Sequence, residues 1–508
     1  MTWWQDAVVY QIYPRSFCDS NGDGVGDLNG VRSRLSYLAS LGVDALWLSP
    51  IYPSPMRDFG YDVANYVDVD QVFGSLAVFD ELVEEAHALG IRVLLDWVPN
   101  HTSSDHPWFE ASRASRGSPL RDWYLWRDAG PDGSLPNNWV RAWSDEPTWT
   151  RDEAMGQYYL HLFLPSQPDL NWANVEVRRA MLETLRFWLD RGVDGFRMDV
   201  VHALGKDLAV DDPEELRLLS HVPLNDVAVT HEYLREIRSV LDAYEGERVS
   251  VGEVYLLDPA RVATYYGAGD ELHLSFNFAS IYTPWRARAW LELIEHTENV
   301  HKTANAWPTW VLSNHDNPRV ATRLGGEDRV RAAMVLLLTL RGTPFLYAGE
   351  ELGLKDADVP HDRVVDPGGR DGCRSPLPWT RAAQHGWGIE PWLPFADRSA
   401  ELSVESQQHE EASMLNFTRR LLEVRRDSDA LRRGELVNLH LEGDVLVYDR
   451  AAGERRVRVL INFAKHASPI TEPEGSVLLS SAARHTTNEL GANEAVVCDV
   501  GTDRGVDS

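Results

Sequence analysis

Short runs of β-branched and aromatic residues alternate, over most of the chain, with stretches whose apolar positions recur every three or four residues. The runs predict strands at Val8–Tyr13, Ala45–Ser49, Arg92–Val98, Gly195–Val200, Val249–Val254, Leu272–Phe278, Trp310–Ser313 and Pro344–Tyr347. The periodic stretches predict helices over Val31–Leu41, Phe79–Leu89, Val177–Arg191, His231–Ala243, Trp285–His296 and Arg329–Leu340. Within Val177–Arg191 the predicted stripe is Ala180, Leu185, Trp188 and Leu189, with Gly192 closing the helix. Strand–helix alternation repeated about eight times implies a parallel sheet, and the simplest closure is an α/β fold of the (β/α)8, or TIM barrel, type.

Two regions break the alternation. From Thr102 to Leu170 the chain is rich in Trp, Pro, Gly and Asp and has little periodicity. A connection that long has to fold on its own, so an inserted subdomain is expected after the third strand. Beyond about Arg433 the pattern changes to period-two alternation at Leu436–Leu441, Val445–Asp449, Arg456–Ile461 and Val496–Val500, predicting a C-terminal antiparallel β-sandwich domain. The expected division is barrel 1–101, insertion 102–170, barrel 171–430 and β domain 431–508. Lys355–Pro394, dense in Gly, Pro and Trp, reads as a long functional loop after the eighth strand.

Composition narrows the partners. A formal net charge of -29 excludes the basic patches that nucleic acid or an anionic membrane surface would need. The N-terminus shows no signal-peptide pattern, and no apolar run is long enough to cross a bilayer. Cys18, Cys373 and Cys498 are sparse, odd in number and without metal-ligand spacing, as expected for reduced thiols in a cytoplasmic protein. Nineteen Trp and seventeen Tyr residues suit core packing and also the apolar faces of sugars, and composition does not separate the two uses.

The informative polar residues fall at strand ends. Asp96, Asn100 and His101 end the third predicted strand, Arg197 and Asp199 the fourth, Glu253 the fifth, and His315 and Asp316 the seventh. In a parallel barrel those ends converge on one face. Gathering so many ionisable groups costs desolvation and repulsion, so the cluster reads as a functional site. Its chemistry suits cleavage of a glycosidic bond by two carboxyl groups. Arg197 and Asp199, two residues apart on a strand, face the same way, and the cation is expected to hold Asp199 ionised.

Asp96–His101, Gly195–Asp199, Gly252–Tyr255 and Asn314–Asp316 resemble, in order, the signature regions of the α-amylase superfamily, glycoside hydrolase family 13. Gln167-Pro168-Asp169-Leu170-Asn171 is similar to the fifth region of the oligo-1,6-glucosidase and α-glucosidase subgroup. The resemblance implies Asp199 as nucleophile, Glu253 as acid/base and Asp316 as the carboxylate that grips sugar hydroxyls. It implies that His101, Arg197 and His315 bind the same sugar, with Phe163 and Gln167 beside them. Asp58 and Tyr61 would cap the non-reducing glucose, with Arg370 as the partner of Asp58, making the enzyme exo-acting. Val200 is the residue type that goes with α-1,6 acceptance in this subgroup, whereas Val201 and His202 depart from the subgroup's usual continuation. His202 has two readings, an aglycone contact or a cap on the following loop.

The loop from Asp19 to Asp27 carries oxygen donors at Asp19, Asn21, Asp23 and Asp27, with glycines between them, which suits a hard cation. Gly30 stands at the twelfth position, so it is not an EF-hand. The resemblance adds the Val25 carbonyl and a structural Ca2+ or Mg2+, with no metal needed for catalysis; a cation-free turn closed by Asx hydrogen bonds is the alternative. Expected substrates are short α-glucosides, α-1,4 or α-1,6 linked, with some transglycosylation. The nearest alternative is sucrose isomerase or trehalose synthase-like glucosyl transfer on the same fold. The sequence sets neither linkage preference nor oligomeric state.

Overall fold

The structure, a computed structural model, describes residues 2–209, 226–470, 475–482 and 488–502. Its frame is a sheet of eight parallel strands. Strand β1 is Val9–Ile12, β2 Ala45–Leu48 and β3 Arg92–Trp97. Strands β4 (Trp126–Arg127), β5 (Trp149–Asp152) and β6 (Gln157–Leu160) form a separate antiparallel sheet inside the insertion. The barrel resumes with β7 (Gly195–Met198), β8 (Val249–Gly252), β9 (Leu274–Ser275), β10 (Thr309–Val311) and β11 (Thr343–Tyr347). The order β10-β11-β1-β2-β3-β7-β8-β9 leaves a seam between β9 and β10. There the Thr309 hydroxyl donates to Ser275 O (2.7 Å) and accepts from the Asn277 N–H (3.1 Å), doing by side chain what ladder bonds do elsewhere.

Alternation along the strands sorts two cores. Val9, Ala45, Trp47, Leu94, Val249, Val251, Leu274 and Phe345 fill the barrel interior. Tyr10, Ile12, Leu46, Leu48, Val93, Leu95, Phe196 and Met198 face the other way, into the layer shared with the helices. The helix Val175–Leu189 buries Val177, Met181, Thr184, Leu185, Trp188 and Leu189 on that layer. Its face includes Met181 where the sequence stripe has Ala180, because the i, i+4, i+7, i+8 series runs from Val177. The single helix expected over Val31–Leu41 is two, Leu28–Ser33 and Leu35–Leu41, broken at Arg34 (φ -111°, ψ 4°). At the foot of β7, a Cβ on Gly195 would stand 2.2 Å from Val249 O, so only glycine lets β7 approach β8 there.

The C-terminal region is a five-stranded antiparallel sheet with a two-stranded sheet beside it. Strands β12 (Glu435–Glu442), β13 (Val445–Ala452), β14 (Arg455–Asn462), β16 (Ser476–Ser480) and β18 (Ala495–Thr502) make the larger one. The smaller pairs β15 (Ser468–Pro469) with β17 (Glu489–Leu490). Leu446, Tyr448, Val459 and Ile461 join the main core of the barrel layer. Val445, Val447 and Leu460 point oppositely and pack with Ile470 and Leu490. The sandwich is therefore lopsided, one of its layers being a two-stranded ribbon. The short strands escaped the sequence reading because two residues cannot display a period. Lys355–Pro394 follows β11 as expected, with only short 3-10 turns at His361–Arg363 and Asp371–Arg374. Cys18, Cys373 and Cys498 are free and buried. Among the described residues, no helix is long and apolar enough to cross a membrane.

Candidate active site

Inward positions at the tops of β3 and β7 carry charge where the lower layers carry hydrocarbon. Asp96 pairs in register with Arg197, and Asp199 follows two residues on. Arg197 is 1% exposed and bridges three carboxyl groups. It donates to Asp96 Oδ1 (2.8 Å) and Asp199 Oδ1 (2.7 Å) from Nη1, and its Nη2 forms an ion pair with Glu253 Oε2 (2.6 Å). The sequence placed it beside Asp199 alone. The Arg197–Glu253 contact was invisible there because it spans two strands.

Asp199 and Glu253 share the Arg197 guanidinium and line the same cavity. Burial pushes the Asp199 carboxyl well up; Arg197 opposes this, and Glu253 and Asp96 add to it. Burial also raises Asp96 to about 6, against the pull of Arg197. Glu253 Oε2 meets the Arg197 guanidinium and accepts the Val200 N–H.

Val200 supplies its donor through an unusual backbone. Its φ of 37° and ψ of 43° place a β-branched residue in the left-handed region, which aims the Val200 N–H at Glu253 Oε2 (3.1 Å). The Val200 side chain lines the cavity above. His202 lies beneath it, fully buried, with Nδ1 3.3 Å from Glu253 O. It is a support under the Glu253 turn and touches no open space.

The cavity has a volume of about 60 Å3. Asp199, Glu253 and Asp316 form its charged floor, with Val200, Phe163 and Tyr61 around them. Its far end is shut by Asp58, His101 and Arg370. Arg370 Nη2 meets Asp58 Oδ1 at 2.6 Å, Nη1 meets Asp316 Oδ1 at 2.9 Å, and Asp366 holds the guanidinium from behind at 2.6 Å. Arg374 adds a second cation on Asp316 Oδ1, at 3.0 Å. Burial works to raise Asp316, but His315, Arg370 and Arg374 outweigh it and hold the carboxyl well below the usual range. Burial raises Asp58, with Arg370 opposing.

Three expected sugar ligands sit behind the wall. His315 Nε2 lies 2.6 Å from the Tyr61 hydroxyl, which itself donates to Asp96 Oδ2 (2.9 Å). Gln167 donates to Asp58 Oδ2 (2.9 Å), and Arg197 lies below the carboxylates. Burial lowers His101 to about 4, so that ring is neutral at pH 7, and burial lowers His315 against the pull of Asp316. Two wall residues escaped the sequence reading, Trp143 and Tyr255. Trp143 (φ 60°) comes from the aperiodic insertion and lays its ring over Arg370, 4.3 Å from the guanidinium carbon. Tyr255, two residues past Glu253, hydrogen bonds to Tyr282.

In the Asp19–Asp27 loop the carboxylates accept backbone donors. Asp19 caps Asn21, Gly22 and Gly24, Asp23 caps Val25, and Asp27 caps Ser20 and Gly30. Among the described residues no three His, Cys, Asp or Glu side chains stand close enough to hold a metal ion. The donors are hard oxygens, as a Ca2+ site needs, and here they are engaged by backbone N–H groups of the turn.

The model of the α-amylase catalytic domain matches residues 11–434. The chain belongs to the α-amylase family of glycoside hydrolases. It is 40% identical to a probable alpha-glucosidase of Rhizobium meliloti (strain 1021), over 92% of this chain and 90% of that one. It is 37% identical to an oligo-1,6-glucosidase of Parageobacillus thermoglucosidasius, over 93% and 92% of the two chains. Among solved structures it is similar to an alpha-glucosyl transfer enzyme (TM-score 0.91, 38% identity, 98% and 99% covered). It is similar also to an isomaltulose synthase from Klebsiella sp. LX3 (TM-score 0.92, 31% identity, 98% and 99% covered).

Proposed function

We propose that this family member is an exo-acting, retaining α-glucosidase that frees glucose from the non-reducing end of short α-1,4 or α-1,6 glucosides by double displacement. The observation that carries this reading is the Asp58–Arg370 pair shutting the cavity beside the carboxylates. A sugar seated there has no room for a further unit on that side. Relatives named alpha-glucosidase and oligo-1,6-glucosidase support it.

In this mechanism Asp199 meets the bound sugar as a carboxylate and Glu253 as the protonated acid. Asp199, beside Arg197, attacks the anomeric carbon as the Glu253 proton moves to the glycosidic oxygen and the aglycone leaves. Glu253, now a carboxylate, takes a proton from water whose oxygen attacks the same carbon. The Asp199 ester breaks, glucose departs as the α anomer and both groups return to their starting states. Asp316, kept ionised by Arg370 and Arg374, accepts sugar hydroxyls throughout.

Time-resolved NMR with isomaltose, maltose and sucrose, run beside Asp199→Ala, tests this. α-Glucose appearing first, and only with the wild-type protein, is the expected result. β-Glucose first, or no glucose, overturns it. The second reading, glucosyl transfer that yields a sucrose isomer, is favoured by the likeness to trehalulose and isomaltulose synthases, and an isomer peak in place of free glucose from sucrose establishes it. A structural Ca2+ or Mg2+ in the Asp19–Asp27 loop belongs to the same proposal, supported by its oxygen-only donor set. Binding requires the carboxylates to turn inward, so EDTA should lower the melting temperature, and an unchanged melt removes the cation.

A further inference from the structure

The Asn100–His101 pair is tied to a cation that the mechanism above does not use. Lys206 sits seven residues past Asp199 with its side chain 3% exposed. Its ammonium donates to Asn100 Oδ1 (2.9 Å) and Ala203 O (2.8 Å) and pairs with Asp169 Oδ2 (3.1 Å). All three partners are acceptors, and an ammonium has only donors to offer.

That fixes the Asn100 amide. With its oxygen held by Lys206, its NH2 group must face the other way, toward Asp169 Oδ2 (3.2 Å) and His101 Nδ1 (3.1 Å). A donor aimed at Nδ1 obliges that nitrogen to accept, so the proton of the neutral ring belongs on Nε2. Nε2 is the nitrogen turned toward Tyr61 O (3.2 Å) and the shut end of the cavity.

The competing tautomer has a supporter of its own. Gln167 is oriented by the Leu164 N–H on its Oε1 (3.1 Å), and its NH2 lies 3.2 Å from His101 Nε2. Were Asn100 free to turn over, Nδ1–H would donate to the Asn100 oxygen and Nε2 would accept from Gln167. The wall would then present an acceptor where the other form presents a donor. We propose that Lys206 is a positioning residue that, through Asn100, locks His101 as the Nε2–H tautomer, a donor shared between Tyr61 O (3.2 Å) and a sugar hydroxyl. The donation to sugar rests on the glucosidase reading above; the tautomer lock does not.

The test is two-bond 1H–15N correlation NMR of histidine-labelled full-length protein, with the His101 signals identified by their loss in His101→Gln. Wild type should show the Nε2–H form alone. Lys206→Met, which keeps the bulk and removes the donors, should make Nδ1–H visible as a minor form, because Asp169 Oδ2 still accepts from the Asn100 NH2, and should lower kcat/KM on isomaltose. Lys206→Gln should keep Nε2–H, since acceptors at Asp169 and Ala203 force its NH2 inward. An Nδ1–H signal in wild type overturns the proposal without any need for the variants to fold. So does an unchanged tautomer in folded Lys206→Met. A tautomer shift with no change in kcat/KM upholds the lock and overturns the sugar contact.

Discussion

At the scale of single residues, Arg370 carries the most. One guanidinium meets Asp58, Asp316 and Asp366 and lies under the Trp143 ring. A lysine offers a point charge in place of a planar fork and cannot reach three carboxylates at once. Arg370→Lys should therefore fold but lose kcat/KM by about 100-fold, the effect of a misplaced sugar-holding group, as steady-state kinetics on maltose would show. The sequence made this residue legible because its motif is local. Trp143 was not legible, since its place over Arg370 follows from a left-handed backbone in a segment without periodicity. Lys206 was missed for a similar reason: its partners Asn100 and Asp169 lie 106 and 37 positions away in the chain, and only the closed barrel brings them together.

At the scale of elements, the strands were legible because they alternate between two cores, and the helices because they turn one face to a sheet. The ends were less so. Where β10 and β11 finish, the wholly buried Glu350 accepts the Tyr347 N–H (3.0 Å) and hydrogen bonds to Ser313, two residues before His315. Burial raises this carboxyl from 4.5 to about 7, against Ser313 and the backbone. A raised folded-state value means the fold holds the proton more tightly than the unfolded chain does. The contribution is full below about 4.5 and is lost as pH rises through about 7. Over that window it amounts to about 3 kcal/mol. Glu350→Gln reproduces the protonated carboxyl, its oxygen toward Tyr347 and its NH2 toward Ser313. The variant should therefore gain melting temperature over wild type at pH 8 and match it at pH 5, as parallel thermal melts at the two pH values would reveal.

At the scale of the whole molecule, the C-terminal sheet is fastened to the end of the barrel opposite the cavity. Arg450, on β13, is fully buried and donates to Thr339 O (2.6 Å) and Gly434 O (2.9 Å), while the Tyr448 hydroxyl meets the Thr339 hydroxyl (2.6 Å). Thr339 ends the helix that leads into β11, so these bonds hold the strand's entrance and stay clear of the site at its exit. Arg450→Met strands buried carbonyls without donors. It should cost about 3 kcal/mol in urea unfolding while leaving kcat/KM within about twofold of wild type. Period-two alternation announced this domain. Its lopsided layers were hidden, because a two-residue strand such as β15 leaves no pattern to read.

The shut end of the cavity also dictates traffic. A chamber with one mouth must be emptied by the route through which it was filled. On the exo-acting reading proposed above, the severed remainder leaves first, and the glucose behind it next, before another chain can dock. Such an enzyme lets go after every cut and cannot walk along a polymer. On the same reading its own product, lodged at the back, stands in the way of the next arrival, so accumulating glucose should slow the reaction by simple occupancy.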